Sequence, residues 1–105
     1  MGIDEQILII EDIVNTFTQK NKNLIPFHIF GNVQSLQHVK NISKSILCTM
    51  WNIGPPGGSF VNSIIENSLY ETIMSSDYIN KECITFYVHM VHSVDQPKEL
   101  KNGEN

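Results

Sequence analysis

A chain of 105 residues with 41% apolar side chains, seven lysines, no arginine and a formal charge of −4 predicts one domain that holds a core without disulfides or metal. No apolar run approaches the ~20 residues of a membrane span. Arginine supplies the bidentate grip on phosphate and guanine, so its absence argues against duplex DNA or RNA as the main partner.

The chain opens with acids at Asp4 and Glu5, where a signal peptide carries basic residues, and this predicts a cytoplasmic protein. Ile3, Ile7, Ile10, Val14 and Phe17 are spaced by four, three, four and three, which sets them along one stripe of a helix. Leu24 to Gly31 is short, apolar and broken by Pro26. It reads as an extended connector, an edge strand at most, because proline is tolerated in strands only at such places. His28 within it reads as a hydrogen-bonded core residue. Leu36, Val39, Ile42, Ile46 and Met50 fit a second helix, while the isoleucine and threonine of 42–51 also suit a strand.

No acid lies between Asp12 and Glu66, an interval that holds Lys20, Lys22, Lys40 and Lys44. The middle of the chain is locally basic within an acidic protein, a field able to draw a small anion. This interval contains Trp51-Asn52-Ile53-Gly54-Pro55-Pro56-Gly57-Gly58-Ser59-Phe60. The prolines forbid a helix, the glycines permit unusual backbone angles, and Ser59 can cap the helix that follows. Such a loop reads either as a plain helix–helix turn or as an anion site. In the second case the amides of Gly57, Gly58 and Ser59 hold a phosphate, with Trp51 and Phe60 against its planar part and Lys44, two helical turns before Trp51, adding charge. The other role for Trp51 is to anchor the core.

Phe60, Val61, Ile64, Ile65, Leu69 and Ile73 cover an arc wide enough for a helix between neighbours. Ser75-Ser76-Asp77 breaks it and caps the next helix. There Ile79, Cys83, Phe86, Met90 and Val94 form one stripe, and Ile84, Val88 and Val91 a second. Two apolar sides on one helix of a short chain suggest a homo-oligomer. Cys48 and Cys83 sit within apolar patterns and read as buried free thiols. His89 and His92, three apart, read as two partly exposed residues on a helix flank rather than a metal site. The loop lacks the lysine of a nucleotide-hydrolysing phosphate loop, and Ser59 lies in no Gly-x-Ser-x-Gly elbow, so no enzyme is expected.

Pro56-Gly57-Gly58-Ser59-Phe60-Val61, Ile64 to Glu71 and Ser76-Asp77-Tyr78-Ile79-Asn80 resemble a stretch of small bacteriophage and prophage proteins. Those carry a Pro-Gly-Gly/Ser-Phe run, Asn-Asp-Leu, and an Ala-Asp-x-x-Asn junction. The likeness covers about residues 55–95, with Ser68 in place of the family's aspartate and Ser76 in place of its alanine. It implies a phage origin, a host-cell cytoplasmic location and a helical hairpin in the C-terminal half. It also suggests action against host defences, by capturing a nucleotide signal or by binding a defence protein.

The expectation is therefore an all-α domain over 1–95, with about four helices (4–20, 33–51, 59–75 and 77–94), the extended connector at 24–31, and a frayed polar tail over 96–105. Its expected function is non-enzymatic capture of a small anionic ligand, without cofactor or metal. A protein–protein inhibitor acting through its acidic surface is the alternative.

Overall fold

The computed structural model describes residues 1–101, and among them no residue forms a strand. The all-α class holds. The helices are α1 (Ile3–Lys20), α2 (Phe27–Phe30), α3 (Val33–Met50), α4 (Ser59–Ile65), α5 (Leu69–Ser75), α6 (Tyr78–Glu82) and α7 (Ile84–Ser93).

α3 is the axis of the fold, because α1, α2, α4, α6 and α7 all pack on it. The side chain of Asn32 caps it by accepting a 2.9 Å hydrogen bond from the Ser35 N–H, and the helix continues to Met50. This removes the strand alternative for 42–51. Val39, Ile46 and Leu47 are fully buried. Ser43 enters the core with them, donating its hydroxyl proton to the Val39 carbonyl at 2.8 Å. From α1, Ile10, Val14 and Phe17 of the expected stripe are buried, whereas Ile3 at the first helical position stays exposed.

Residues 24–31 are not extended. A 3₁₀ turn at Lys22–Leu24 leads through Pro26 into the single helical turn of α2. The Pro26 carbonyl accepts from the amides of Ile29 and Phe30, and a proline at this point costs the helix nothing because the first N–H groups have no partner anyway. Ile25 and Ile29, four apart, are buried while Phe27 is exposed, a helical rather than an alternating pattern. His28 is exposed rather than in the core, and its ring reaches Glu82 at 3.2 Å.

Both expected C-terminal helices are broken. Asn67 takes a left-handed backbone, φ 61°, and ends α4 in a Schellman motif: the Ser68 amide donates to the Ser63 carbonyl and the Asn67 amide to that of Ile64. α3 ends the same way at Asn52, φ 56°, where the Ile53 amide donates to Cys48. At Cys83, φ −111° and ψ 14°, the N–H donates a 3.0 Å hydrogen bond to the Asn80 carbonyl, which tightens the turn and separates α6 from α7. The segment expected as a tail also differs over its described part. Lys98–Leu100 forms a 3₁₀ turn, Leu100 is fully buried, and Gln96 Nε2 donates to the Leu100 carbonyl at 2.7 Å. The rest of that expectation, 102–105, lies outside the described residues.

Candidate functional site

The Gly-Pro-Pro-Gly-Gly loop is docked on the end of α3. The Gly57 N–H donates to Thr49 Oγ1 at 2.8 Å, and that hydroxyl donates in turn to the Ser45 carbonyl at 2.7 Å. Asn62 Nδ2 donates to the Gly57 carbonyl at 3.1 Å. A Cβ on Gly57 would meet Ser45 Oγ at 2.6 Å and Val61 Cβ at 2.7 Å, so glycine is required for close approach. Gly58, not Ser59, is the N-cap of α4, and Ser59 is its exposed first residue.

Trp51 and Phe60 are core residues at 7% and 8% exposure. The Phe60 ring meets Tyr87 edge-on, with centroids 5.6 Å apart. Lys44 points elsewhere: its Nζ pairs with Glu11 Oε2 at 3.1 Å across α1 and α3. The structure thus does not bring the expected constellation together. The Gly57 amide is already bonded, the indole offers no open stacking face, and the ammonium belongs to another part of the surface. Neither the cleft between α1 and α3, lined by Glu11 and Lys44, nor the depressions beside Phe30, Ile84 and Ser63 are lined by Trp51 or by residues 57–60.

The Asp77-x-x-Asn80 junction also has a structural account. Asp77 Oδ1 accepts from the Asn80 N–H at 2.7 Å and caps α6. Its Oδ2 lies 2.8 Å from His38 Nε2 on α3. Asn80, itself buried, accepts the Tyr87 hydroxyl at 2.7 Å. Burial pushes the Tyr87 phenol well above its ordinary range, reinforced by the nearby Cys83 and Asp77. Burial pushes the Cys83 thiol up to about 11, with Glu82 and Asp77 adding to it. The Cys48 thiol is also raised by burial, partly offset by Lys44. Both cysteines are buried and free, and protonated thiols of this kind are poor nucleophiles.

His89 packs on Phe17 with ring centroids 5.6 Å apart and shares a hydrogen bond with Ser93. Among the described residues no group of three His, Cys, Asp or Glu side chains is placed to hold a metal.

The pattern of spacing missed α5. The spacing of Leu69 and Ile73 predicts a buried arc, yet Leu69, Tyr70, Ile73 and Met74 are 71%, 69%, 44% and 64% exposed, and Tyr78 at the start of α6 is 78% exposed. The break at Asn67 turns α5 so that Thr72 faces inward, where it donates to Ser63 Oγ at 2.9 Å. Positions 69, 70, 73 and 74 then share the outer side of a two-turn helix. Between Lys44 and Lys98 the only cation is Lys81, against Glu66, Glu71, Asp77, Glu82 and Asp95. Glu66 and Glu71 are exposed and have no ion-pair partner among the described residues.

No protein-family model matches the chain, and no curated protein or solved structure is significantly similar to it. Function therefore rests on the surfaces themselves. No described helix is long and apolar enough to cross a membrane.

Proposed function

We propose that the protein is a non-enzymatic binding module that docks another protein through the outer face of α5 and the start of α6. The observation that carries this is the run of five large apolar side chains exposed within ten residues, Leu69 to Tyr78. Contiguous exposed apolar surface is costly to keep in water, and Tyr and Met are enriched where partners meet. The partner fits by charge as well. With acids outnumbering the single Lys81 in this part of the chain, the complementary surface has an apolar centre and a basic rim. A second copy would bring Glu66 and Glu71 against like charges. This is a protein–protein inhibitor with an acidic surface, to which the α5 face adds an apolar centre. If residues 55–95 do mark a phage protein, the partner is a host factor and the module acts by occupying it.

The test is site-specific photocrosslinking in the producing cell, with a benzoylphenylalanine at Tyr70 and a control at the exposed Gln19 of α1. One discrete heterologous adduct at position 70, absent at 19 and lost on adding Leu69→Ser and Met74→Ser, is the expected result. Equal adducts at both positions, or none at 70, would contradict it. An adduct of twice the 12.0 kDa chain mass would place a second copy on this face and overturn the heterologous assignment.

A further inference from the structure

The groove between α1 and α3 holds a cleft of about 330 Å³ lined by Glu11, Val14, Asn15, Gln37, Lys40, Asn41 and Lys44. Nearly every group at its wall is polar, and two are ammonium groups four residues apart on one side of α3. Their situations differ. Lys44 is held by Glu11 at 3.1 Å, whereas Lys40 is half-buried and has no ion-pair partner among the described residues. A cation that lines a polar cleft without a carboxylate of its own favours an anion from solution. The carboxamides beside it are already oriented, since Gln37 Nε2 donates to Asn41 Oδ1 at 2.9 Å.

Gln37 and Lys40 also line a second depression of about 170 Å³, shared with Phe30, Val33 and Leu36. The two hollows meet at these residues, one cationic and amide-bearing, the other aromatic and aliphatic. We infer that this bipartite groove is a binding site for a small phosphate monoester carrying a flat ring, a nucleoside monophosphate in chemical class. The phosphate lies between Lys40 and Lys44, the ring rests on Phe30 and Leu36, and the amides of Asn15, Gln37 and Asn41 meet its polar edge. A dianion is specified because the ligand must compete with the single charge of Glu11 for Lys44, and a phosphate monoester carries nearly two charges at neutral pH. The cleft is independent of the α5 face and of the loop after Trp51.

The four ribonucleoside 5′-monophosphates, the corresponding nucleosides and inorganic phosphate, titrated into the full chain at low salt by calorimetry, test it. At least one monophosphate is expected to bind, and its nucleoside and free phosphate each at least about tenfold more weakly. Lys40→Gln and Lys44→Gln should each weaken that binding about tenfold while leaving the melting temperature within a few degrees, as expected for charge-assisted contacts. Glu11→Gln should tighten it several-fold by releasing Lys44, which a role in holding α1 to α3 would not produce. Overturning results are no saturation by any of the four below about 10 mM, equal binding in both lysine variants, or weaker binding after Glu11→Gln.

Discussion

Gly57 and Tyr87 show how single side chains settle the meaning of a motif. The amide of Gly57 and the hydroxyl of Tyr87 are each committed to an internal partner, Thr49 and Asn80 respectively, so the glycine that looks like part of an anion site in the sequence holds the fold together, as does the tyrosine. Gly57→Ala forces a Cβ to within 2.7 Å of Val61 and is expected to cost about 1–3 kcal/mol. Gly58→Ala has open space, so only the poorer N-cap preference of alanine counts against it, and it should cost no more than about 1 kcal/mol. Thermal melts of the two variants check the contrast, at about 4–8 °C per kcal/mol for a domain of this size. Tyr87→Phe leaves the buried Asn80 oxygen without its donor and should cost about 1–3 kcal/mol.

The raised Cys83 thiol gives a pH signature of the same packing. The fold holds that proton more tightly than the unfolded chain does, so its contribution is complete below the ordinary thiol value of 9.0 and is lost as pH climbs toward about 11. Melting temperatures followed from pH 8 upward should fall in this window. In Cys83→Ala the fall should be shallower, the remainder coming from Tyr87 and Cys48.

Helix existence was readable where a stripe of spacing three and four ran unbroken, as in α1 and α3. Breaks within helices were not, because nothing in apolar spacing registers a reversal at Asn67 or a tightened turn at Cys83. A signal was present at Asn67, since asparagine is the residue other than glycine most often used at a left-handed helix end. Asn67→Gly should preserve the α4–α5 turn, while Asn67→Val should cost about 1–2 kcal/mol for a branched residue at φ 61°. The connector failed for another reason. A proline in a short apolar run reads as an extended connector, whereas tertiary burial of Ile25 and Ile29 makes Pro26 the start of a helical turn. Leu100 stands alone in a polar segment, and only the fold reveals that its side chain completes the core. Leu100→Ala is expected to cost about 2–5 kcal/mol in a denaturant melt, like other buried leucines.

Across the protein as assembled, α3 gathers the other helices around it, and among the described residues one ion pair, Lys44 to Glu11, and two histidine–carboxylate contacts, His38 to Asp77 and His28 of α2 to Glu82, fasten its surroundings. The outside of α5 stays uncovered, with Leu69, Tyr70, Ile73 and Met74 exposed and Glu66 and Glu71 exposed nearby in the chain. The all-α class was legible from periodicity alone. The binding face was not, because it depends on which way a short helix turns after a break that spacing does not show. Electrostatic complementarity at this face predicts association with its partner that slows as salt is raised, since the acids around it are exposed and screened.

The most direct test compares two double variants for the adduct formed at position 70. Gly58→Ala with Ser59→Ala alters the loop, and Leu69→Ser with Met74→Ser alters the α5 face. Retention of the heterologous adduct in the loop variant and its loss in the α5 variant, both with native melting temperatures, is the predicted result. Loss in the loop variant with retention in the α5 variant would contradict the account.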